Sequence, residues 1–137
     1  MRGKQNFFRC RHCGNLAGLI DNHGVPMVCC GEKMAELIPN TVDAAQEKHV
    51  PVVKKVNECA CGCTCGSALA IEVGSTHHPM INEHNISFIY IETENGGKRR
   101  CLKIGQEPVI KVCCCDDNPI AVYAYCNLHG LWKTEVK

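Results

Sequence analysis

Four cysteines within the first thirty residues constrain this chain more than any other feature. Cys10 and Cys13 stand two residues apart in FFRCRHCGNLAGLI, and Cys29 and Cys30 are adjacent in PMVCCGEKM, with a DNHG turn between the two segments. Together the pairs supply four thiolates, the number a tetrahedral metal site takes. Gly14 and Gly31 follow the pairs, which suits backbone amides turning to donate hydrogen bonds to sulfur. Residues 1–37 contain too few apolar side chains for a core of their own, so a metal has to hold them together. Structural metals contribute roughly 10–16 kcal/mol of apparent binding energy in such modules, enough to decide whether the segment folds. A four-cysteine set leaves zinc and iron both open. His12, between two of the thiols, reads as a solvated side chain, and His23 as a turn residue.

The chain carries 13 cysteines in 137 residues, an odd number. No apolar leader precedes a cleavage site and no apolar run is long enough to span a bilayer, so the expected location is cytoplasmic. That compartment keeps thiols reduced, which favours metal ligation over disulfides. Net charge is +1 with acids and bases interspersed. Neither a nucleic-acid stripe nor a membrane-surface patch follows from such a balance, and small ligands or protein partners fit it better.

Residues 38–48 read as a linker entering a short helical turn, with Asp43 and Gln46 spaced as a capping box. That turn carries Glu47 and Lys48 and ends at His49. From there the pattern is β: PVVKKV (51–56), ALAIEV (68–73), NISFIYIE (85–92), RRCLKI (99–104), PVIKV (108–112), IAVYAY (120–125) and LWKT (131–134). These runs are short and rich in β-branched and aromatic residues, and turn signals at NGG, GQEP and DDNP separate several of them. Seven strands without a helical period predict an all-β fold, a β-sandwich of immunoglobulin-like type over residues 49–137. No hydrolase triad, P-loop or dinucleotide motif is present. In YCNLHGLWK (125–133), Cys126 and His129 can chelate one metal ion, and His49 in EKHVP, His78 in HPM and His84 in NEH are candidate partners. The bland reading of Cys126-x2-His129 is a buried thiol and a surface imidazole.

Taken together, CRHCG, VCCGEKM, EKHVP, HPM with the following EH, and YCNLHGLWK resemble desulfoferrodoxin, the two-iron superoxide reductase family, over nearly the whole chain and in the same order. The resemblance implies a desulforedoxin-like, rubredoxin-related module over 1–37 with iron on Cys10, Cys13, Cys29 and Cys30. It also implies a catalytic iron held by His49, His78, His84 and His129 in a plane with Cys126 axial. Glu47 would cap the sixth position and Lys48 would attract superoxide. The implied enzyme reduces superoxide to hydrogen peroxide, draws electrons from a donor such as rubredoxin, works as a homodimer and serves oxidative-stress detoxification. His77 lies one residue out of register with the family's HPM and is left out.

Eight thiols remain beyond the five assigned to these sites. Cys59, Cys61, Cys63 and Cys65 alternate in an insertion at 57–67, Cys113, Cys114 and Cys115 are consecutive, and Cys101 lies in a strand. They read either as inert loop and core cysteines or as a third metal or iron–sulfur site on the 59–65 and 113–115 segments. Two other functions are compatible with the same residues: a non-catalytic iron protein for electron transfer or redox sensing, and a thiol-rich metal-binding protein on the same fold.

Overall fold

The computed structural model describes residues 5–57, 67–113 and 117–136. The chain divides into two compact units, Met1–Ile38 and Pro39–Lys137.

In the first unit, β1 (Phe7–Arg9), β2 (Leu16–Gly18), β3 (Val28–Cys29), β4 (Glu32–Lys33) and β5 (Ala35–Glu36) are all very short. They form a three-stranded antiparallel sheet in the order β2-β1-β5 and a separate β3-β4 hairpin. Among the described residues of this unit only Phe7 and Cys10 are buried. One phenyl ring and one thiol make no core, which is the physical reason a metal is needed here. The hairpin turns on Cys30 (φ 54°) and Gly31 (φ 75°). Two successive left-handed residues are what a two-residue type I′ turn requires. Glycine takes that conformation freely; a cysteine pays about 1–2 kcal/mol for it. Non-glycine residues in such conformations gather at functional positions.

In the second unit, a single helical turn α1 (Gln46–His49) precedes seven strands: β6 (Pro51–Val56), β7 (Ala68–Val73), β8 (Ile86–Thr93), β9 (Gly96–Cys101), β10 (Val109–Cys113), β11 (Pro119–Cys126) and β12 (Gly130–Glu135). They pair antiparallel into one sheet of order β10-β7-β6 and another of order β12-β11-β8-β9. Period-two alternation aims one face of each sheet at the other. Leu69, Ile71 and Val73 of β7 meet Ile86, Ile89 and Ile91 of β8 and Val122, Ala124 and Cys126 of β11, with Val112 and Met80 filling in. Each such aliphatic side chain stabilises the fold by roughly 1.5–3 kcal/mol when fully buried. The all-β sandwich expected from the sequence is the observed architecture. No helix of the described residues is long and apolar enough to cross a membrane.

Two local expectations change. Asp43 does not cap α1: the N-cap is Ala45, with no side-chain hydrogen bond. The strand expected over 99–104 begins earlier, at Gly96, because the hairpin turns on Glu94 and Asn95 and sets Gly96 opposite Thr93.

Candidate metal centres

In the first unit, Cys10 follows β1, Cys13 lies in the next turn, Cys29 ends β3 and Cys30 occupies the hairpin turn. Their four sulfurs all lie within 4.8 Å of one another. Cys13 Sγ and Cys29 Sγ are 3.6 Å apart, and two sulfurs each 2.3 Å from a shared tetrahedral centre would be separated by about 3.8 Å. The amide of Cys13 donates to Cys10 Sγ at 3.5 Å, that of Asn15 to Cys13 Sγ at 3.4 Å, and Asn15 Nδ2 to Cys29 Sγ at 3.7 Å. The Gly14 amide instead closes the turn onto the Cys10 carbonyl at 3.0 Å. The Cys13 amide pulls the Cys10 thiol down to about 6, while hydrogen bonding with Cys10 and the other two sulfurs pushes Cys30 up to about 12. Four thiols this close cannot all ionise unaided, so a bound cation has to take the place of their protons.

In the second unit, strand pairing assembles the other set. Pro51 pairs with Val73, Cys126 with both Ile86 and Gly130. His49, just before β6, and His78, just after β7, therefore share one end of the first sheet. His84, just before β8, and the β11–β12 turn with Cys126 and His129 share one end of the second. Cys126 also continues the inward row of Val122 and Ala124, so its sulfur points into the sandwich. Val56, Ala68 and Cys113 are in register at the opposite end of the first sheet, away from His49 and His78.

The donor atoms of His49, His78, His84 and Cys126 lie within 4.8 Å of one another. His129 falls outside that limit but adjoins the set, its Nδ1 3.1 Å from His49 Nε2 and 3.8 Å from Cys126 Sγ. Ring centres run 4.7 Å from His49 to His78, 4.4 Å to His84, 5.1 Å to His129 and 4.8 Å back to His49, whereas His49 and His84 are 6.2 Å apart across the ring. A tetrahedral cluster would make all separations alike. A longer diagonal is the mark of a square, with the thiol as a fifth donor. Cys126 is completely buried while His84 and His129 are half-buried, so sulfur lies on the protein side and solvent reaches the other face.

The hydrogen bonds fit a metal. His49 Nδ1 donates to the Ala45 carbonyl and His78 Nδ1 to that of Pro79, both at 2.7 Å. Each Nε2 is therefore left with a lone pair, yet the two approach to 3.2 Å. Two lone pairs do not attract each other; a cation between them resolves the contact. His84 Nε2 is buried without a hydrogen-bond partner, the one such side-chain atom among the described residues. Burial lowers His49 and His84 and brings His78 to about 4, so the imidazoles stay neutral and able to ligate. Burial raises the Cys126 thiol, a cost that a neighbouring cation offsets.

Residues 41–135 match the family described as Desulfoferrodoxin. The chain belongs to the desulfoferrodoxin family. It is 38% identical to the desulfoferrodoxin of Syntrophotalea carbinolica over 98% of this chain and 99% of that one, and 36% identical to that of Nitratidesulfovibrio vulgaris over the same shares. The crystal structure of the superoxide reductase from Treponema pallidum superposes with a TM-score of 0.74 at 29% identity, covering 97% of this chain and 100% of that one. This desulfoferrodoxin-family chain thus carries two donor clusters, one of four cysteines and one of histidines with a cysteine.

Glu47 and Lys48 sit beside His49 on α1, both exposed. Burial is the main cause of the lowering of His49 and His84, and the charge of Lys48 adds to it at both. The proposed third site lies outside the described residues apart from Cys113, which is half-buried at the end of β10. Several supporting residues were not singled out from the sequence. Trp132 stacks on His49, ring centres 5.0 Å apart, and its indole N–H donates to the His129 carbonyl at 3.1 Å. Asn127 Nδ2 donates to the Glu83 carbonyl at 3.0 Å and its Oδ1 accepts from the Asn85 amide at 2.8 Å, tying the Cys126–His129 turn to the segment bearing His84. Asn85 after NEH, and Asn127 and Trp132 within YCNLHGLW, were the available signals, polar or indole groups flanking the donors in both motifs.

Proposed function

We propose that the chain is a superoxide reductase that converts superoxide, one electron and two protons into hydrogen peroxide without forming oxygen. The observation that carries this reading is the ring of four imidazoles backed by a buried thiol and open to solvent on its other face. Iron bound by His49, His78, His84, His129 and Cys126 would supply the electron, and the donor set of neutral imidazole and thiolate suits that metal. The carbonyls of Ala45 and Pro79 hold the His49 and His78 rings with Nε2 inward, so the site is oriented before anything binds. Lys48 attracts the superoxide anion to the open face, the kind of steering that raises encounter rates by about 10–10³-fold. The Glu47 carboxylate covers that face when no anion is there. Solvent at the half-buried His84 and His129 supplies the protons, so peroxide leaves intact.

Cys10, Cys13, Cys29 and Cys30 hold a second iron in this reading. An external donor such as rubredoxin returns the spent electron, and the protein acts as a homodimer in the cytoplasm. The test is to mix anaerobically reduced, iron-analysed protein with a known pulse of superoxide and measure peroxide and oxygen. One peroxide per superoxide with no oxygen is expected, from protein holding two irons per chain. Oxygen evolution at half the superoxide consumed would indicate a dismutase, and an iron-replete protein that leaves superoxide unconsumed would be an electron carrier or sensor. Three metals per chain would assign a further centre to the remaining cysteines.

A further inference from the structure

Glu47 and Lys48 reach into solvent, but the peptide that joins them is pinned. The Glu47 carbonyl accepts two hydrogen bonds, from the Thr76 amide at 3.0 Å and the Ser75 hydroxyl at 3.3 Å. One residue past His49, the Val50 carbonyl accepts from the Gly74 amide at 3.1 Å. Gly74 has φ +83°, and a Cβ at this position would lie 2.5 Å from the Thr76 carbonyl oxygen, 2.7 Å from that of Glu47 and 2.7 Å from the Lys48 carbonyl carbon. All three are backbone atoms, so no rotamer change relieves the clash. Any side chain here forces either the Glu47–Lys48 peptide or the Gly74–Thr76 turn to move, and so disturbs the contact between them.

The helical turn cannot hold this geometry alone. Four residues are too few for a stable helix, and no side chain caps it. Its backbone is set by His49, through the ring's bond to Ala45, and by the turn at Gly74–Thr76. That turn continues to His78, whose amide returns to the Val73 carbonyl at 3.2 Å. One stretch of chain thus delivers a metal donor and grips the backbone beside another.

We propose that the Gly74–Thr76 turn is a clamp that holds the Glu47–Lys48 backbone beside the donor ring, and that Gly74 and Ser75 are positioning residues for the incoming anion. The inference rests on the superoxide reductase reading above. The clamp anchors the backbone that carries the Lys48 ammonium and the Glu47 carboxylate from outside their own helical turn.

The experiment is a double-mutant cycle on the full, iron-loaded chain with Gly74→Ala, Ser75→Ala and Lys48→Ala. Iron per chain is measured first, then the second-order rate with superoxide at low and high salt. Gly74→Ala is expected to keep its iron, to react about tenfold more slowly at low salt, and to show a flatter dependence on ionic strength. Ser75→Ala, which removes one of two hydrogen bonds without a clash, moves the same way by less. Combining Gly74→Ala with Lys48→Ala is expected to slow the reaction no further than Lys48→Ala alone, because the clamp acts through Lys48. An iron-replete Gly74→Ala with unchanged rate and salt slope overturns the proposal, as do additive effects in the double variant. Loss of iron from both clamp variants overturns it too, since it would assign the turn to metal retention through His78. Should Gly74→Ala not fold, the Ser75→Ala and Lys48→Ala cycle makes the same comparison. Wild-type protein that holds iron but does not react with superoxide defeats the underlying reading, and is distinguished from every outcome above by being the unmodified chain.

Discussion

Trp132→Phe isolates one contact to the histidine ring. Trp132 is 1% exposed and touches two donors at once, stacking on His49 with planes 26° apart and donating its indole N–H to the His129 carbonyl. Phenylalanine keeps an aromatic face against His49 and deletes the N–H. A hydrogen bond of this kind contributes about 1 kcal/mol net, and an acceptor left unsatisfied costs about 1–3 kcal/mol. At about 1.4 kcal/mol per factor of ten, this corresponds to a metal affinity lower by roughly five- to a hundredfold. Outer partners of metal ligands are worth about the same, 10–100-fold. Trp132→Ala would be a poorer probe, because removing the whole ring from a packed site costs about 3–5 kcal/mol and mixes folding with binding. The assay is competition with a chelator under anaerobic conditions, following loss of the thiolate absorption of the histidine-ring site. The four-cysteine centre serves as the internal reference, with unchanged chelator resistance. A Trp132→Phe protein that retains wild-type affinity within about twofold would refute the reasoning, since the indole N–H would then do nothing to fix His129.

Metal removal is expected to act unequally on the two units. Phe7 and Cys10 are the only buried described residues of Met1–Ile38, whereas Pro39–Lys137 has a full sandwich core. Stripping metal should abolish hydrogen-exchange protection in the first unit and preserve it along β8 and β11; equal loss in both would contradict this account. A pH effect follows from Asp117, whose carboxyl is held below its ordinary 3.8 chiefly by the Thr93 hydroxyl at 2.6 Å, with help from the Asn95 amide. Because the folded value lies below the unfolded one, the contribution is complete above the unfolded value and is lost as pH falls through the folded value. In urea unfolding of metal-free protein, the stability gap between wild type and Asp117→Asn should be constant above about pH 5 and shrink in more acid solution. A gap that stays constant into acid would count against the assigned shift.

The strands were legible where the chain announces them locally. Pro51–Val56 and Ala68–Val73 coincide with their apolar runs, the first opened by a proline and the second closed by Gly74. Over 96–104 the signal failed because the turn at Glu94–Asn95 is held by Asp117, more than twenty residues away, through bonds to the Asn95 amide and side chain. No window of sequence contains that contact. The capping box failed similarly: α1 is shaped by the His49 ring and by Gly74, neither of which periodicity reveals. Spacing alone picked out Cys10, Cys13, Cys29 and Cys30 because two local turns bring each pair together. His49, His78, His84 and His129 span eighty residues, and their convergence depends on the pairing of Pro51 with Val73 and of Cys126 with Ile86 and Gly130. Only the motifs flanking them carried that information.

The two centres also differ in what a metal has to do for the fold, and the difference follows from where the sulfur sits. Cys13 and Cys30 are exposed and Cys29 is half-buried, so the first cluster gains little from packing and much from ligation. Cys126 is the last residue of an inward apolar row and would be buried there as a small hydrophobe whether or not a metal were bound. Burial keeps its thiol protonated and keeps the imidazoles of His49, His78 and His84 uncharged. These four groups are therefore a neutral arrangement compatible with the core beneath them. Metal entry requires the loss of one thiol proton and no refolding, because the carbonyls of Ala45 and Pro79 already aim two of the donor nitrogens inward. A site preformed in this way keeps its geometry when the charge at its centre changes, which is what one-electron chemistry at a fixed position demands.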